Sequence, residues 1–287
     1  MPGCDISILV IGGGSRIAAA LEPLLGDCAR YVSRQHSQRP RHVLVGDYAD
    51  IPAYLFNGIR CVINCVGIST GSSSMMHLIN VDLPLRLAAT AKAAGVAHLI
   101  HVSSFSVYGG ARAIDRHTLP APSSDYGHSK LAADTGLLAL TDDRFAVTIL
   151  RLPLIYGQNI SGKLGQLVRL WQRLRIMPVP TGDVARAMIG IDLSAEVIAH
   201  LSQVPHSGVV FAADPLPFTY ALTAQARGER LYRLRLPRAA TRLAERAAPA
   251  IGGRLFADSR LSDHDNIAVR YDLTTRLYRD IAAATFD

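Results

Sequence analysis

Tyr126 and Lys130 stand four residues apart in Tyr126-Gly127-His128-Ser129-Lys130, a spacing that sets both side chains on one face of a helix. An ammonium beside a phenol favours the phenolate, lowers its pKa and makes the tyrosine a workable proton donor or acceptor near neutrality. Just upstream, Val102-Ser103-Ser104-Phe105-Ser106-Val107-Tyr108-Gly109 closes an apolar run with serine hydroxyls, which gives the pair a neighbour able to hold a reacting oxygen. A second cluster lies near the start, in Ile11-Gly12-Gly13-Gly14-Ser15-Arg16-Ile17-Ala18. Glycines at a strand-to-helix turn let the backbone approach a pyrophosphate, and the helix N-terminus supplies free N–H groups and a positive dipole end. Read as G-x-x-G-x-x-G, the three places hold Gly12, Ser15 and Ala18, all small. A glycine-rich turn alone is as often a mere turn; its place after an opening strand favours dinucleotide phosphate binding by Gly12, Gly14, Ser15, Arg16 and Ile17.

The next strand-like run ends Val32-Ser33-Arg34. A carboxylate there would meet the ribose 2′-hydroxyl of NAD, and none is present. Arg34, with Ser33 and Arg16, offers a grip for a 2′-phosphate and so points to NADP; the bland reading is a solvated surface arginine.

These residues need elements to position them. Apolar runs at 6–11, 29–32, 42–45, 61–66, 97–102 and 146–150 read as strands, with helical patterns between them, clearest at 75–94 and 126–140. Continuous apolar strands separated by helices predict an α/β fold, a doubly wound parallel sheet of Rossmann type with ligands beyond the carboxyl ends of its strands. After Gly157 the alternation loosens: a helix over 164–175, a strand at 187–191, a helix over 193–203 and a strand at 209–212 follow. From Pro215 onward the pattern reads as helical and arginine-rich. The expected organisation is a dinucleotide-binding domain over 1–157 and a smaller, mostly C-terminal substrate-binding cap over 158–287, with 186–212 returning to the sheet.

With 49% hydrophobic and 18% charged residues, the 287-residue chain carries enough apolar surface to build a large core, which excludes a disordered chain. No apolar run reaches the length of a membrane span, and the opening apolar run without a basic leader reads as no signal peptide. The expectation is a soluble cytoplasmic protein. Cys4, Cys28, Cys61 and Cys65 lack C-x-x-C spacing and read as buried thiols of a reducing compartment, and no histidine pair at ligand spacing points to a metal. The net charge of +7 is largely arginine: only Lys92, Lys130 and Lys163 are lysines, and Arg227, Arg230, Arg233, Arg235, Arg238, Arg242, Arg246 and Arg254 crowd one segment. No aromatic–basic interleaving accompanies that charge, so a small anionic substrate fits it better than nucleic acid.

Taken together, Gly12–Ala18, Gly46-Asp47, Asn64-Cys65-Val66-Gly67, Asn80-Val81-Asp82, Ser103-Ser104 with Val107-Tyr108-Gly109, Tyr126–Lys130 and Arg151-Leu152-Pro153-Leu154-Ile155-Tyr156-Gly157 resemble the extended short-chain dehydrogenase/reductases, the NAD-dependent epimerase/dehydratase group. The resemblance runs from Ile8 to about Ala212. It implies Ser104 as the catalytic serine that hydrogen-bonds the reacting oxygen, Tyr126 as the proton carrier, and Lys130 as the group that holds the ribose and tunes Tyr126. It also implies cofactor contacts at Asp47, Tyr48, Cys65, Val66, Gly67, Val102 and Pro153, and substrate-side roles for Asn80, Ser104 and Ser106.

Dehydratases of this group resemble one another in an acidic pair after the catalytic serine or threonine; Phe105-Ser106 stands there instead, which disfavours dehydration. What remains is an oxidoreductase or epimerase using NADP by preference, or NAD, on a nucleotide diphosphate sugar: a 4-keto sugar reductase or 4-epimerase serving surface polysaccharide synthesis. Arg186 and Arg254 resemble the arginines that meet the diphosphate in such enzymes, although either is equally a surface charge. Relatives resemble one another in pairing the 75–94 and 126–140 helices about a two-fold axis, which implies a homodimer. A reductase of a non-sugar carbonyl and a non-catalytic cofactor-binding regulator are the alternatives.

Overall fold

The computed structural model describes residues 6–36, 41–157, 173, 175–180, 184–220, 222, 232–237 and 258–274. Backbone proximity divides the chain into two units: Met1–Gly109, Leu119–Leu152 and Ser194–Ala212 form the first, and Gly110–Thr118, Pro153–Leu193 and Ala213–Asp287 the second.

The first unit is built on a seven-stranded sheet. Its strands are β1 (Ile8–Ile11), β2 (Ala29–Ser33), β3 (His42–Leu44), β4 (Cys61–Asn64), β5 (His98–Ser104), β7 (Ala146–Leu152) and β12 (Gly208–Phe211), in the order β12-β7-β5-β4-β1-β2-β3, every pair parallel. β1 and β4 are buried at every residue, because helices cover both faces and no solvent side remains to demand polar alternation. The order reverses on either side of β1, so the crevice between β1 and β4 lies at the switch point of the sheet. The register lines up the strand ends that matter: Ile11 opposes Asn64, Asn64 opposes His101, and Ser104 opposes Leu152.

Three helical stretches flank these ends. α1 (Arg16–Leu25) follows β1, α4 (Asp125–Leu138) precedes β7, and between β4 and β5 runs a helix that the sequence reads as one piece over 75–94. It is instead α2 (Ser73–His77), a π turn (Leu78–Asp82) and α3 (Leu83–Ala93). Pro84 gives the reason: it has no N–H for the Asn80 carbonyl and its ring crowds that carbonyl, and the widened turn accommodates both.

Among the described residues the second unit contains four two-stranded ribbons. β6 (Ala113–Ile114) pairs with β15 (Arg260–Leu261), β8 (Leu154–Tyr156) with β11 (Met188–Gly190), β9 (Ile176–Pro180) with β14 (Tyr232–Leu236), and β10 (Ala185–Arg186) with β13 (Phe218–Thr219). The expected helical character beyond Pro215 fails at β14, where Tyr232, Leu234 and Leu236 alternate with arginines at period two, the pattern of a strand. α5 (Ile191–Leu201) leads to β12, and the short α6 (Ile267–Arg270) is capped by Asn266. The helix expected over 164–175 lies outside the described residues, apart from 173 and 175.

Among the described residues no helix is long and apolar enough to cross a membrane. The reading of four free thiols needs correction: Cys61 and Cys65 are free, but Cys28 is disulfide-bonded, and sequence spacing carries none of the geometry that decides such pairing. Cys4 lies outside the described residues.

Candidate active site

α4 presents Tyr126 and Lys130 because its first turn is fixed in two ways and its far end in a third. Ser124 caps the helix, its hydroxyl accepting from Gly127 N at 3.1 Å. Gly127 lets that turn press against the 3-10 turn Phe105–Tyr108; a Cβ there would stand 2.4 Å from the Ser106 carbonyl oxygen. Further along, Gly136 packs against Leu85 of α3. Ser104, the last residue of β5, is extended, with Oγ accepting from Ser106 N and donating to Ser106 Oγ, both at 3.1 Å. Ser104 also lies beside Tyr126, near enough to lower its phenol. The structure therefore brings Ser104 and Ser106 together at the end of β5, with Tyr126 beside Ser104.

The electrostatics differ from the sequence expectation. Burial pushes the Tyr126 phenol above its ordinary value, Ser104 draws it back in part, and Asp134 adds to the rise. Lys130 makes contacts of its own. The lysine is itself buried, and its Nζ donates to the Val102 carbonyl at 2.9 Å and lies 3.5 Å from His101 Nε2. Burial pulls Lys130 down to about 8, opposed by Asp134 and Cys65. Asp134, one helical turn beyond Lys130, receives Arg151 Nε at 2.9 Å, and Arg151 Nη1 donates to Tyr108 OH at 2.5 Å. Tyr108 is thus a packing and anchoring residue at the back of the site.

The loop after β4 is pinned by two asparagines. Asn64 Oδ1 accepts from Val66 N at 3.0 Å. Asn80, wholly buried in the π turn, accepts from Ile68 N and donates to Ile68 O and Ser129 Oγ, each at 2.9 Å. Gly67 lies under Lys130, 3.3 Å from its Nζ if a Cβ is built. Asn80 is therefore a brace that ties the Cys65–Ile68 loop to α4.

Gly12 has φ +89, and a Cβ on it would come within 3.2 Å of the Cys65 and Val66 backbone. The turn holds itself by Ser15 N to Gly12 O at 2.8 Å, and Ser15 caps α1 through Ala18 N at 3.1 Å. Gly13, which the sequence reading passed over, is as tight as Gly12: its Cβ would meet Tyr31 Cβ at 3.1 Å and Val32 O at 3.2 Å. Gly14 is open by comparison, with Ser33 Oγ 3.5 Å away. Three successive glycines were the available signal. Arg16 opens α1 and Ile17 is buried behind it. At the end of β2, Ser33 Oγ is tied to Gln35 N and O, and the Arg34 guanidinium lies 5.2 Å over the Tyr48 ring, next to Asp47.

This bare-backbone turn, leading from β1 into the N-terminus of α1 with no acid after β2, fits a dinucleotide. Gly12, Gly13, Ser15, Arg16, Cys65, Val66 and Gly67 are the residues that would hold it. Pro153 follows directly on Leu152 and begins the Pro153–Leu193 segment of the second unit. Arg186 sits half-buried in β10, where its charge lowers the Tyr220 phenol against the larger effect of burial. Arg254 lies outside the described residues. Sequence reasoning also missed His101, which reaches Lys130 only through strand register, and the contact that Asn64 makes with His101.

A sequence model described as "NAD dependent epimerase/dehydratase family" matches residues 8–210. A UDP-glucose 4-epimerase of Vibrio cholerae is 30% identical over 131 residues, a match spanning 42% of this chain and 38% of that relative. Among solved structures, MoeE5 in complex with UDP-glucose and NAD is similar over 97% of both chains at 21% identity and a TM-score of 0.71. UDP-glucuronic acid 4-epimerase from Bacillus cereus in complex with NAD is similar over 96% of both chains at 18% identity and a TM-score of 0.72. At these identities the likeness is one of fold.

Proposed function

The chain belongs to the NAD-dependent epimerase/dehydratase family, and from that premise we propose that it is a nicotinamide-dinucleotide enzyme acting on a nucleotide diphosphate sugar, as a 4-epimerase or a 4-keto sugar reductase serving surface polysaccharide synthesis. The observation that carries this reading is the convergence of Ser104, Tyr126 and Lys130 beyond the carboxyl end of β5, in the same unit as the glycine turn after β1. In this reading Ser104 orients the reacting oxygen, Tyr126 gives or takes its proton, and Lys130 with Gly67 flanks the place of the cofactor's ribose. The bound dinucleotide supplies a hydride acceptor or donor. Dehydration has no acid to serve it at the positions after Ser104: Phe105 is turned into an aromatic cluster, its ring 6.2 Å from Tyr108 and 6.3 Å from Phe211.

The two structural neighbours are complexes with NAD, whereas Ser33-Arg34 at the end of β2 supports a pocket for a 2′-phosphate, so NADP is the preferred cofactor in this proposal. Arg186 and Arg254 are the proposed anchors for the substrate diphosphate, and a homodimer in the cytoplasm is the proposed form; a monomeric mass in solution at micromolar concentration would overturn the dimer. The functional test is a panel of UDP- and dTDP-linked sugars and their 4-keto forms with NADPH and NADH, following cofactor oxidation and sugar configuration by NMR. Turnover of at least one sugar nucleotide is expected. Turnover of simple ketones alone, or no retention of UDP by the protein, overturns the assignment.

A further inference from the structure

Lys130 Nζ has a second neighbour besides the Val102 carbonyl, and hydrogen-bond arithmetic fixes what that neighbour can be. A backbone N–H can only donate, so the 3.0 Å contact from Val66 N makes its partner on Asn64 the amide oxygen. The other arm of Asn64 is then the NH₂, and it stands 3.1 Å from His101 Nδ1. Nδ1 must therefore accept. His101 is wholly buried, and burial together with Lys130 holds it well below the usual imidazole value, so the ring is neutral and carries its single proton on Nε2. That nitrogen is the one 3.5 Å from Lys130 Nζ.

We propose that His101 is a positioning residue for the proton chemistry at this site: Asn64 locks its tautomer, and the resulting Nε2–H is aimed at Lys130 Nζ, where it opposes the ammonium and accommodates the free amine. An ammonium has no lone pair to receive an N–H, whereas an amine has one. His101 thereby sets the pH at which the Tyr126–Lys130 pair changes protonation. The other groups facing Lys130 are known. Asp134, one turn along α4, and Cys65, after β4, favour the ammonium, and Arg151 from β7 neutralises part of Asp134. Tyr126 is one turn back on α4, and the remaining contacts, Val102 O and the Asn80–Gly67 loop, are uncharged. Among these groups His101 stands out as one that disfavours the charged lysine.

The role assigned to the pair rests on the proposed function; the tautomer and the lysine titration do not, and they are tested separately. Nitrogen-15 spectra of labelled histidine, with the His101 signals identified by their loss in His101→Phe, should show a neutral ring protonated on Nε2; a ring protonated on Nδ1 overturns the proposal in the unaltered protein. The sequence has only three lysines, so Cε-labelled lysine gives three titration curves, and the one absent from Lys130→Met is that of Lys130. In His101→Phe its midpoint should rise by about one pH unit, equivalent to roughly a tenfold stronger hold on the proton. In His101→Gln, which restores an N–H donor, it should return toward the native midpoint. An unchanged or lowered midpoint in His101→Phe overturns the proposal. If the tautomer and midpoints behave as expected but no sugar nucleotide is turned over, the functional reading falls and this one stands. If turnover is present, the alkaline limb of its pH profile should move with the lysine midpoint.

Discussion

Tyr126 and Lys130 share a helical face, but their surroundings give them different tasks. The phenol lies beside Ser104, and the lysine is turned toward β5. Replacing Tyr126 by Phe removes the one group placed to exchange a proton with an oxygen held by Ser104, so turnover should fall by roughly 10²–10⁴-fold. Cofactor affinity, followed by fluorescence titration, should stay nearly unchanged, since the hydroxyl contributes little to holding a dinucleotide. Activity within a few-fold of the parent would remove Tyr126 from the chemistry. Arg34 makes the matching case for binding. Its guanidinium is already ordered over Tyr48, and Arg34→Ala should weaken NADPH far more than NADH; equal losses would show that it does not see a 2′-phosphate. At this scale the sequence was informative wherever partners are local. Tyr126 and Lys130 are one turn apart, and Ser104 is one strand end away. It misjudged the direction of the Tyr126 shift, because burial, like the His101–Lys130 contact, arises from the packing of elements distant in the chain, and no spacing along it encodes them.

The element that delivers both groups is α4, and its position is set by close approach rather than by amphipathic burial alone. Gly127→Ala would drive a methyl into the Ser106 carbonyl, a backbone atom that cannot step aside without moving the 3-10 turn that follows Ser104. A loss of about 1–3 kcal/mol in urea unfolding should accompany a large drop in turnover. Gly136→Ala meets only the Leu85 side chain, at 2.8 Å from its Cδ2, and a rotamer change there relieves it. That variant should lose no more than about 1 kcal/mol and keep its activity. If the two substitutions behave alike, the packing argument for Gly127 fails. The parallel strands were legible because helices on both faces make them continuously apolar. The π turn was not, since one proline in an otherwise helical pattern signals an irregularity without saying which kind. β14 carried a readable alternation that the density of arginine concealed.

For the molecule as a whole, the order of the seven-stranded sheet follows from the alternation of strands and helices, while the second unit's ribbons do not. Ala113 with Arg260, or Ile176 with Tyr232, are pairings of a few residues across long stretches of chain, and nothing local announces them. The sheet also carries a buried polar chain that makes its stability depend on pH. His98 at the start of β5 is 3.7 Å from Cys61 Sγ on β4 through Nδ1 and 2.8 Å from Thr148 Oγ on β7 through Nε2, and Thr148 donates onward to the His206 carbonyl at 2.6 Å. Thr148 spends its proton on that carbonyl, so His98 must donate from Nε2 and accept at Nδ1, and the chain is complete only with a neutral ring. Burial holds His98 down to about 4, from an ordinary 6.5. The unfolded chain therefore takes up this proton first as the pH falls. The contribution is fully present above about 6.5, is lost progressively toward about 4, and amounts to on the order of 3 kcal/mol. The exposed carboxylates held low, Asp115 and Asp142, act in a separate window below the ordinary 3.8. The urea midpoint at about pH 5 should accordingly lie below that near pH 7, and His98→Gln, which keeps a donor for Thr148 without a titrating ring, should narrow the gap. Equal midpoints at the two pH values, or a gap that His98→Gln leaves untouched, would move the acid sensitivity of the sheet away from His98.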